Sequence, residues 1–182
     1  MALTATIFKA DLTISDMDRG YYATHALVLA RHPSETDERM MVRLLAFALN
    51  ADEALEFGKG LSNEEEPALC RKDLTGLIEQ WIDVGLPDEK SVRKACGRAR
   101  QVRLYTYGRG AAKWWQDNGD AMAKPDNLTV CDLPAETTQA LAKLAERTMQ
   151  LQCTIQDGTA WITNGDKTVE VAPVVLSAAR RP

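Results

Sequence analysis

Apolar and polar residues alternate along the opening of the chain. Residues 3–14 (LTATIFKADLTI) and 21–30 (YYATHALVLA) are rich in β-forming residues, and the polar segment Ser15–Gly20 between them ends in glycine. Residues that alternate in this way point to opposite faces of a strand, and a short polar segment ending in glycine is typical of a turn. The pattern therefore predicts an N-terminal β-hairpin.

The spacing of apolar residues becomes helical after residue 33. Ser34, with Asp37 three positions later, resembles a capping box, which predicts a helix from about Glu35 to Leu49.

Two faces can be assigned on this helix. Glu35, Arg39 and Arg43 are four residues apart and predict a solvent-facing stripe with one ion pair. Glu38 falls on the opposite, apolar face, so we expect this carboxylate to point toward a sheet. The apolar residues of that face are Met41, Val42 and Leu45.

Strand and helix patterns alternate through the second half of the chain, after a short predicted strand at 55–61. Strands are predicted at 77–84, 102–107 and 128–132, and helices at 88–100, 110–118 and 135–147. Such alternation indicates parallel strands with crossover helices. Residues 148–172 contain two turn dipeptides, Asp157-Gly158 and Asn164-Gly165, which predict an antiparallel meander. We therefore expect a single α/β domain over residues 1–182, with β-hairpin embellishments at both termini.

Composition narrows the class of protein. A length of 182 residues suits one domain with a real core, and a net charge of −4 argues against a protein that coats nucleic acid. A local basic groove on an acidic nuclease is still compatible with that charge. Four widely spaced cysteines without a CxxC pair predict reduced, buried thiols. No leader and no apolar run long enough for a membrane span are recognisable, so we expect a cytoplasmic protein.

The strand predicted at 77–84 carries the most unusual side chains. Glu79, Trp81 and Asp83 alternate within an apolar run, so we expect them on one face of the strand. Buried carboxylates need a cation, a metal or hydrogen-bond donors as partners. Lys90 and Lys94, on the next predicted helix, complete a set that suits metal-assisted phosphodiester chemistry. The same set also suits a buried ion-pair network.

Distance limits how these acids could share a metal. Glu79 and Asp83 lie about 13 Å apart along a strand, too far for both to bind one Mg²⁺ ion directly. A metal site would need an acid from elsewhere, and the candidates are Glu38, Asp73 and Glu66. If Asp73–Gly76 closes a hairpin, a residue near Glu66 would lie opposite Asp83.

Several long motifs resemble the YaeQ family of bacterial proteins. They are MALTATIFKADL, LARHPSETDERMMVRLLAFAL, WIDVGLPDEKSVRKACGRA, the pair WW, and RTMQLQCTIQDGTAWI, and together they cover almost the entire chain. The resemblance implies a variation of the PD-(D/E)XK nuclease fold, with a core at about 34–147 built from a mixed sheet and flanking helices.

The resemblance also implies Mg²⁺-dependent phosphodiester hydrolysis. Glu38 matches the helical glutamate of that superfamily and Asp83 its second acid, while the first acid is Glu79, Asp73 or Glu66. Our leading hypothesis takes Glu38, Glu79 and Asp83 as the metal ligands. The superfamily's lysine is replaced by Gly85, and Lys90 or Lys94 would have to supply the amine.

Two functions from different classes follow. The first is a nuclease-like protein that hydrolyses nucleic acid with Mg²⁺. The second is a non-catalytic interaction or regulatory protein that retains the fold and contacts a protein partner through Trp114, Trp115 or the acidic segment Glu64–Glu66. Oligomeric state is left undetermined by the sequence.

Overall fold

The computed structural model describes residues 4–58 and 66–181. Its strands are β1 (Thr6–Asp16), β2 (Tyr21–Arg31), β3 (Leu55–Phe57), β4 (Leu69–Lys72), β5 (Ile78–Val84), β6 (Ala99–Thr106), β7 (Leu128–Asp132), β8 (Thr148–Gln156), β9 (Thr159–Thr163), β10 (Thr168–Val171) and β11 (Val174–Ser177). Its helices are α1 (Asp37–Leu49), α2 (Glu89–Arg98), α3 (Ala111–Met122) and α4 (Ala135–Ala142). The chain forms two compact units, Met1–Ala51 with Glu136–Pro173, and Asp52–Ala135 with Val174–Pro182.

The first unit is built on a five-stranded sheet in the order β10-β9-β8-β1-β2. Strands β1 and β2 form the predicted N-terminal hairpin, and β8, β9 and β10 form the predicted meander. These two elements are not separate embellishments, because β8 pairs in parallel with β1 and joins them into one sheet. Periodicity predicts which residues share a face of a strand, but it does not identify the strand's neighbour.

Helix α1 lies inside the first unit, and its predicted solvent-facing stripe is wrong. Arg43 is 1% exposed, and its Nη2 donates to Glu35 Oε1 at 2.7 Å and to the carbonyl of Ala30 at 3.1 Å. The predicted pair between Glu35 and Arg39 is confirmed at 2.5 Å. Because Glu35 neutralises the guanidinium, the helix can bury every residue from Met40 to Ala48.

The cap of α1 also differs from the sequence prediction. Thr36, rather than Ser34, is the N-cap residue, and its hydroxyl accepts a hydrogen bond from the backbone N–H of Arg39 at 3.1 Å. Ser34 instead contacts the His32 ring, with its Oγ 2.7 Å from Nδ1. The helix consequently begins at Asp37, two residues later than predicted.

The second unit is built on a six-stranded sheet in the order β11-β7-β6-β5-β4-β3. Strands β5, β6 and β7 are parallel and are joined by α2 and α3, which confirms the predicted crossover units. Asp88 caps α2 as predicted, and its carboxylate accepts from the Ser91 N–H at 2.7 Å. Two short strands, β4 and β11, are absent from the elements that the sequence pattern predicts. The fold is therefore a mixed α/β arrangement with two mixed sheets and, among the described residues, four helices.

Both candidate partner-contacting tryptophans pack against the core of the second unit. The Trp114 indole N–H donates to the Pro87 carbonyl at 2.7 Å, and both rings pack on the core between the helices and the sheet. A Cβ atom on Gly119 would lie only 3.1 Å from the Trp115 ring, so that glycine allows the ring to approach the helix. Both half-buried rings therefore contribute to packing, and a contact of either ring with a protein partner stays a prediction. Of the acidic segment, Glu64 and Glu65 lie outside the described residues.

The cysteines are free thiols, as predicted. Cys131 and Cys153 are buried, while Cys70 and Cys96 are half-buried. Burial raises the pKa of Cys96 to about 11 and that of Cys153 to about 12, which makes both thiols poor nucleophiles at neutral pH. Within the described part of the chain, none of the helices combines the length and apolarity that a membrane crossing requires.

Candidate functional site

Asp83 uses both carboxylate oxygens in hydrogen bonds within the second unit. Its Oδ2 accepts from the indole N–H of Trp81 at 2.7 Å, and its Oδ1 accepts from the backbone N–H of Ala68 at 3.1 Å. Trp81 is 3% exposed, and a buried indole N–H needs such an acceptor. The Asp73–Gly76 segment closes the β4–β5 hairpin, and the residue beside Asp83 is Ala68, two positions from Glu66, which confirms the predicted register. The group that this register brings to Asp83 is a backbone N–H rather than a second carboxylate.

Glu79 lies next to an arginine. The β4–β5 register shifts between Arg71 and Lys72, which leaves Glu79 as the extra residue of a bulge. Its Oε2 is 3.9 Å from Nη2 of Arg71, and both side chains are about one-third exposed. Glu79 thus takes part in an ion pair, which was one of the two interpretations of this strand.

The other predicted site residues have partners of their own. Glu38 is half-buried in the first unit, and its Oε2 accepts from the Thr138 hydroxyl at 3.0 Å. In the second unit, the pKa of Asp88 lies below its ordinary value, first because Ser91 donates to it and then because Lys90 and Lys94 are nearby. Both lysines therefore act on the capping carboxylate of α2.

These acids do not assemble a three-donor cluster. Across residues 4–58 and 66–181, no group of three or more His, Cys, Asp or Glu side chains is arranged to hold a metal ion. Glu38 belongs to the first unit, and Glu79 and Asp83 belong to the second. Their role as Mg²⁺ ligands stays a prediction of the family resemblance.

A cleft of about 460 Å³ lies on the second unit, on the sheet face opposite Trp81. We call it the arginine cleft. Its polar lining residues are Arg71, Gln80, Gln101, Arg103, Thr129 and Arg181, and Val102, Cys131, Val175, Ala178 and Ala179 complete the lining. None of the site residues predicted from the sequence lines this cleft.

Strand register explains why these polar residues meet. Arg71 lies opposite Gln80, Gln80 opposite Gln101, and Arg103 opposite Thr129, so four adjacent strands contribute to one face. The signal in the sequence was the alternation on β6, where Gln101 and Arg103 alternate with apolar residues. This alternation predicts a cleft only when the strands beside β6 are known to be β5 and β7.

The C-terminal segment forms one wall of the arginine cleft. The Ala179 N–H donates to the Thr129 hydroxyl oxygen at 3.1 Å, and the Gln101 amide donates to the Arg181 carbonyl at 2.7 Å. The guanidinium of Arg180 donates to the carbonyls of Ala123 and Lys124. Hydrogen bonds to side chains of β6 and β7, and to backbone carbonyls after α3, therefore hold this segment in place.

The three cleft arginines differ in how far they are neutralised. Arg71 pairs with Asp52 at 3.3 Å as well as with Glu79, while its buried Nε has no partner among the described residues. Arg181 is 3.8 Å from Asp126, and that pair is exposed and contributes little. Arg103 makes no ion pair or hydrogen bond with any described residue.

The positive charge of Arg103 affects the pKa of Cys131, another residue that lines the cleft. Burial raises the pKa of the neighbouring Cys131 thiol, and the guanidinium of Arg103 opposes that rise because it favours the thiolate. The cleft therefore combines one uncompensated cation, two partly compensated ones, and amide and hydroxyl groups. Such a set can bind a phosphate or another oxyanion.

Comparisons with known proteins assign the chain to a family. Residues 1–173 match the family model described as "YaeQ protein". The chain is 47% identical to "Uncharacterized protein YaeQ" of Escherichia coli (strain K12) over 94% of this chain and 95% of that protein. It is 48% identical to the protein of the same description from Salmonella typhi over 100% of this chain and 99% of that protein.

Two crystal structures have the same fold. The YaeQ protein from Xanthomonas axonopodis pv. citri matches with a TM-score of 0.93 and 52% identity over 96% of this chain and 99% of that chain. The YaeQ protein from Pseudomonas syringae matches with a TM-score of 0.91 and 36% identity over 97% of this chain and 98% of that chain. Sequence and structure agree over nearly the whole length, and the chain belongs to the YaeQ family.

Proposed function

We propose that this protein binds the phosphate backbone of single-stranded nucleic acid in the arginine cleft. The observation that carries the proposal is Arg103, a cationic side chain in a cleft, without an acidic partner among the described residues. Arginine is suited to phosphate because its planar guanidinium can donate two parallel hydrogen bonds to one group.

The shape and lining of the cleft support this ligand class. A volume of about 460 Å³ is in the range of small-ligand pockets and suits a strand rather than a duplex. The described lining contains no aromatic side chain, so base stacking is absent from the proposed contact. Binding would therefore depend on phosphate contacts, with little sequence preference and a strong dependence on salt.

The proposed function combines a nuclease-like fold with non-catalytic binding, and its partner is nucleic acid rather than the protein partner of the second predicted function. Chain order supports a relation to the PD-(D/E)XK core, since α1 precedes the β3–β4–β5 meander, α2 follows, and β6 pairs in parallel with β5. Two acids of that chemistry, Asp83 and Glu79, instead contact Trp81, Ala68 and Arg71 inside the second unit. The proposed activity is therefore binding without hydrolysis, with Asp83 and Glu79 serving the fold.

The test compares two arginines on one strand. Arg103 and Arg100 both belong to β6, but Arg100 is exposed on the opposite face. We expect Arg103→Ala to weaken binding of a fluorescein-labelled oligothymidine of about 12 nucleotides by about tenfold. Arg100→Ala should change the affinity by less than about twofold. Fluorescence anisotropy at several salt concentrations measures both effects.

The salt dependence makes the result specific to a phosphate contact. Loss of one such contact should reduce the slope of log affinity against log salt by about 0.7 for a single strand. Arg103→Gln, which keeps polarity but removes the charge, should show the same loss and guards against misfolding of the alanine variant. A wild-type protein without measurable affinity, or an Arg103 variant with unchanged affinity and slope, would overturn the proposal.

A further inference from the structure

The five-stranded sheet of the first unit ends on an unusually long edge. β2 has eleven residues and is last in the strand order, so no described strand pairs with its outer side. The Lys9 N–H donates to the carbonyl of Arg147 on the β8 side, and Lys9 lies opposite Val28. Lys9 and Val28 therefore form a non-hydrogen-bonded pair of the antiparallel ladder. In such a pair, each residue turns its N–H and C=O away from the other strand. Val28 therefore directs its N–H and C=O to the outer side of β2.

The same reasoning assigns every second residue of β2. Tyr22, Thr24, Ala26 and Val28 all direct their backbone groups outward, and all four are exposed. We call these four residues the open edge. Ala30 is next in this series, but its carbonyl accepts from the buried guanidinium of Arg43 at 3.1 Å. The open edge thus ends where the protein itself supplies a donor.

The open edge lacks the features that usually prevent strand addition. Proteins protect such edges with charged residues, prolines or bulges. Residues 21–30 contain no Asp, Glu, Lys, Arg or Pro, and the β1–β2 register runs unbroken over eleven pairs. Exposed apolar side chains flank the edge, with Tyr22 64% and Val28 58% exposed. An edge of this kind is suited to pairing with another strand.

We propose that the open edge pairs with the open edge of a second copy of this chain. In a two-fold antiparallel register, Tyr22 of one copy lies opposite Val28 of the other, and Thr24 lies opposite Ala26. This register uses all four residues on each side, and each pair exchanges two backbone hydrogen bonds.

Side-chain chemistry favours a second copy as the occupant. The register places an aromatic ring against a β-branched residue on the exposed face, which is a favourable cross-strand pair. Because residues 21–30 carry no Asp, Glu, Lys or Arg, the paired segments themselves bring no like charges of these residue types together. His25 lies opposite its counterpart at the two-fold axis.

Sedimentation equilibrium of the full chain at pH 8 tests the proposal. Wild-type protein should reach twice the chain mass of 20.1 kDa at about 100 μM, the range needed to detect a weak homodimer. Ala26→Pro should stay at the mass of one chain. Its missing N–H faces outward, where a strand tolerates proline, so the hairpin itself should persist.

A charge variant with a matched control separates folding from pairing. Thr24→Lys places like charges near the two-fold axis and should also give the mass of one chain. Thr13→Lys is the control, because Thr13 lies opposite Thr24 on the same exposed face but one strand away from the open edge. It should retain the double mass. If circular dichroism shows that Ala26→Pro has unfolded, the sedimentation mass of Thr24→Lys tests the proposal in its place.

Two results would overturn the proposal. One is a wild-type mass of one chain at every concentration, which would leave the open edge to some other partner. The other is a double mass that persists in Thr24→Lys, which would place the interface elsewhere on the molecule.

Discussion

At the scale of single residues, Trp81 and Asp83 show how a functional pattern can serve the core. The two residues are two positions apart on β5, so their side chains lie on the same face of the strand. The Asp83 carboxylate is 2.7 Å from the indole nitrogen of Trp81. The indole is buried, and Asp83 supplies its hydrogen-bond acceptor. An acid that the family resemblance connects with catalysis therefore has a structural role in this protein.

This role can be tested by stability measurements. Asp83→Leu should lower the free energy of unfolding by about 2 kcal/mol, because it leaves the buried indole N–H without an acceptor. Glu79→Leu, at a one-third exposed position on the same strand, should cost less than about 1 kcal/mol. Urea unfolding of each variant gives both values.

A double variant supplies the control. Trp81→Phe removes the donor, so Asp83→Leu should cost clearly less in that background than in the wild-type protein. Equal costs in the two backgrounds would show that the hydrogen bond does not stabilise the fold.

At the scale of elements, helix α1 shows what local sequence rules miss. The apolar spacing predicts the helix and its C-terminal end at Leu49 correctly. The cap was misassigned because Ser34, Thr36 and Asp37 are all suitable N-terminal residues in an SETD run. Arg43 was misassigned because helical spacing alone cannot show that Glu35 and the Ala30 carbonyl neutralise a buried guanidinium.

The two candidate caps make different predictions. Thr36→Ala should reduce the free energy of unfolding by about 1 kcal/mol, since it removes the acceptor for the Arg39 N–H. Ser34→Ala should have an effect of less than about 0.5 kcal/mol. Thermal or urea unfolding measures both. If Ser34→Ala lowered the free energy of unfolding as much as Thr36→Ala or more, Ser34 rather than Thr36 would be the capping residue.

At the scale of the whole molecule, the metal hypothesis depends on whether separate carboxylates can share an ion. In the described residues no such cluster forms, and Asp83 and Glu79 have partners of their own. The family assignment rests on similarity over nearly the entire chain, and similarity of fold alone does not establish an activity. A titration of the complete protein addresses the question directly.

We expect Mg²⁺ and Mn²⁺ at about 5 mM to leave the melting temperature unchanged, because a ligand raises it only when it binds the native state. Differential scanning calorimetry with Ca²⁺ and with added chelator provides the comparison. A rise in melting temperature with Mg²⁺ or Mn²⁺ that disappears in Asp83→Asn would contradict this expectation and favour the hydrolytic function instead.

Most local elements of this protein, though not the short strands β4 and β11, could be predicted from the order of its residues alone. Strand and helix periods, the cap at Asp88 and the parallel crossover units follow from side-chain spacing along a continuous segment. The extent of α1 follows from the same kind of spacing, apart from its cap. Physical contacts between neighbours in sequence are enough to specify these features.

Which distant segments meet became clear only from the folded chain. The β1–β8 pairing joins strands about 140 residues apart, and the arginine cleft combines residues of four strands with the C-terminal segment. The same pairing order leaves one side of β2 open at the end of its sheet. Pairing partners depend on the whole chain, since a strand's own pattern fixes the face of each residue but not the strand beside it.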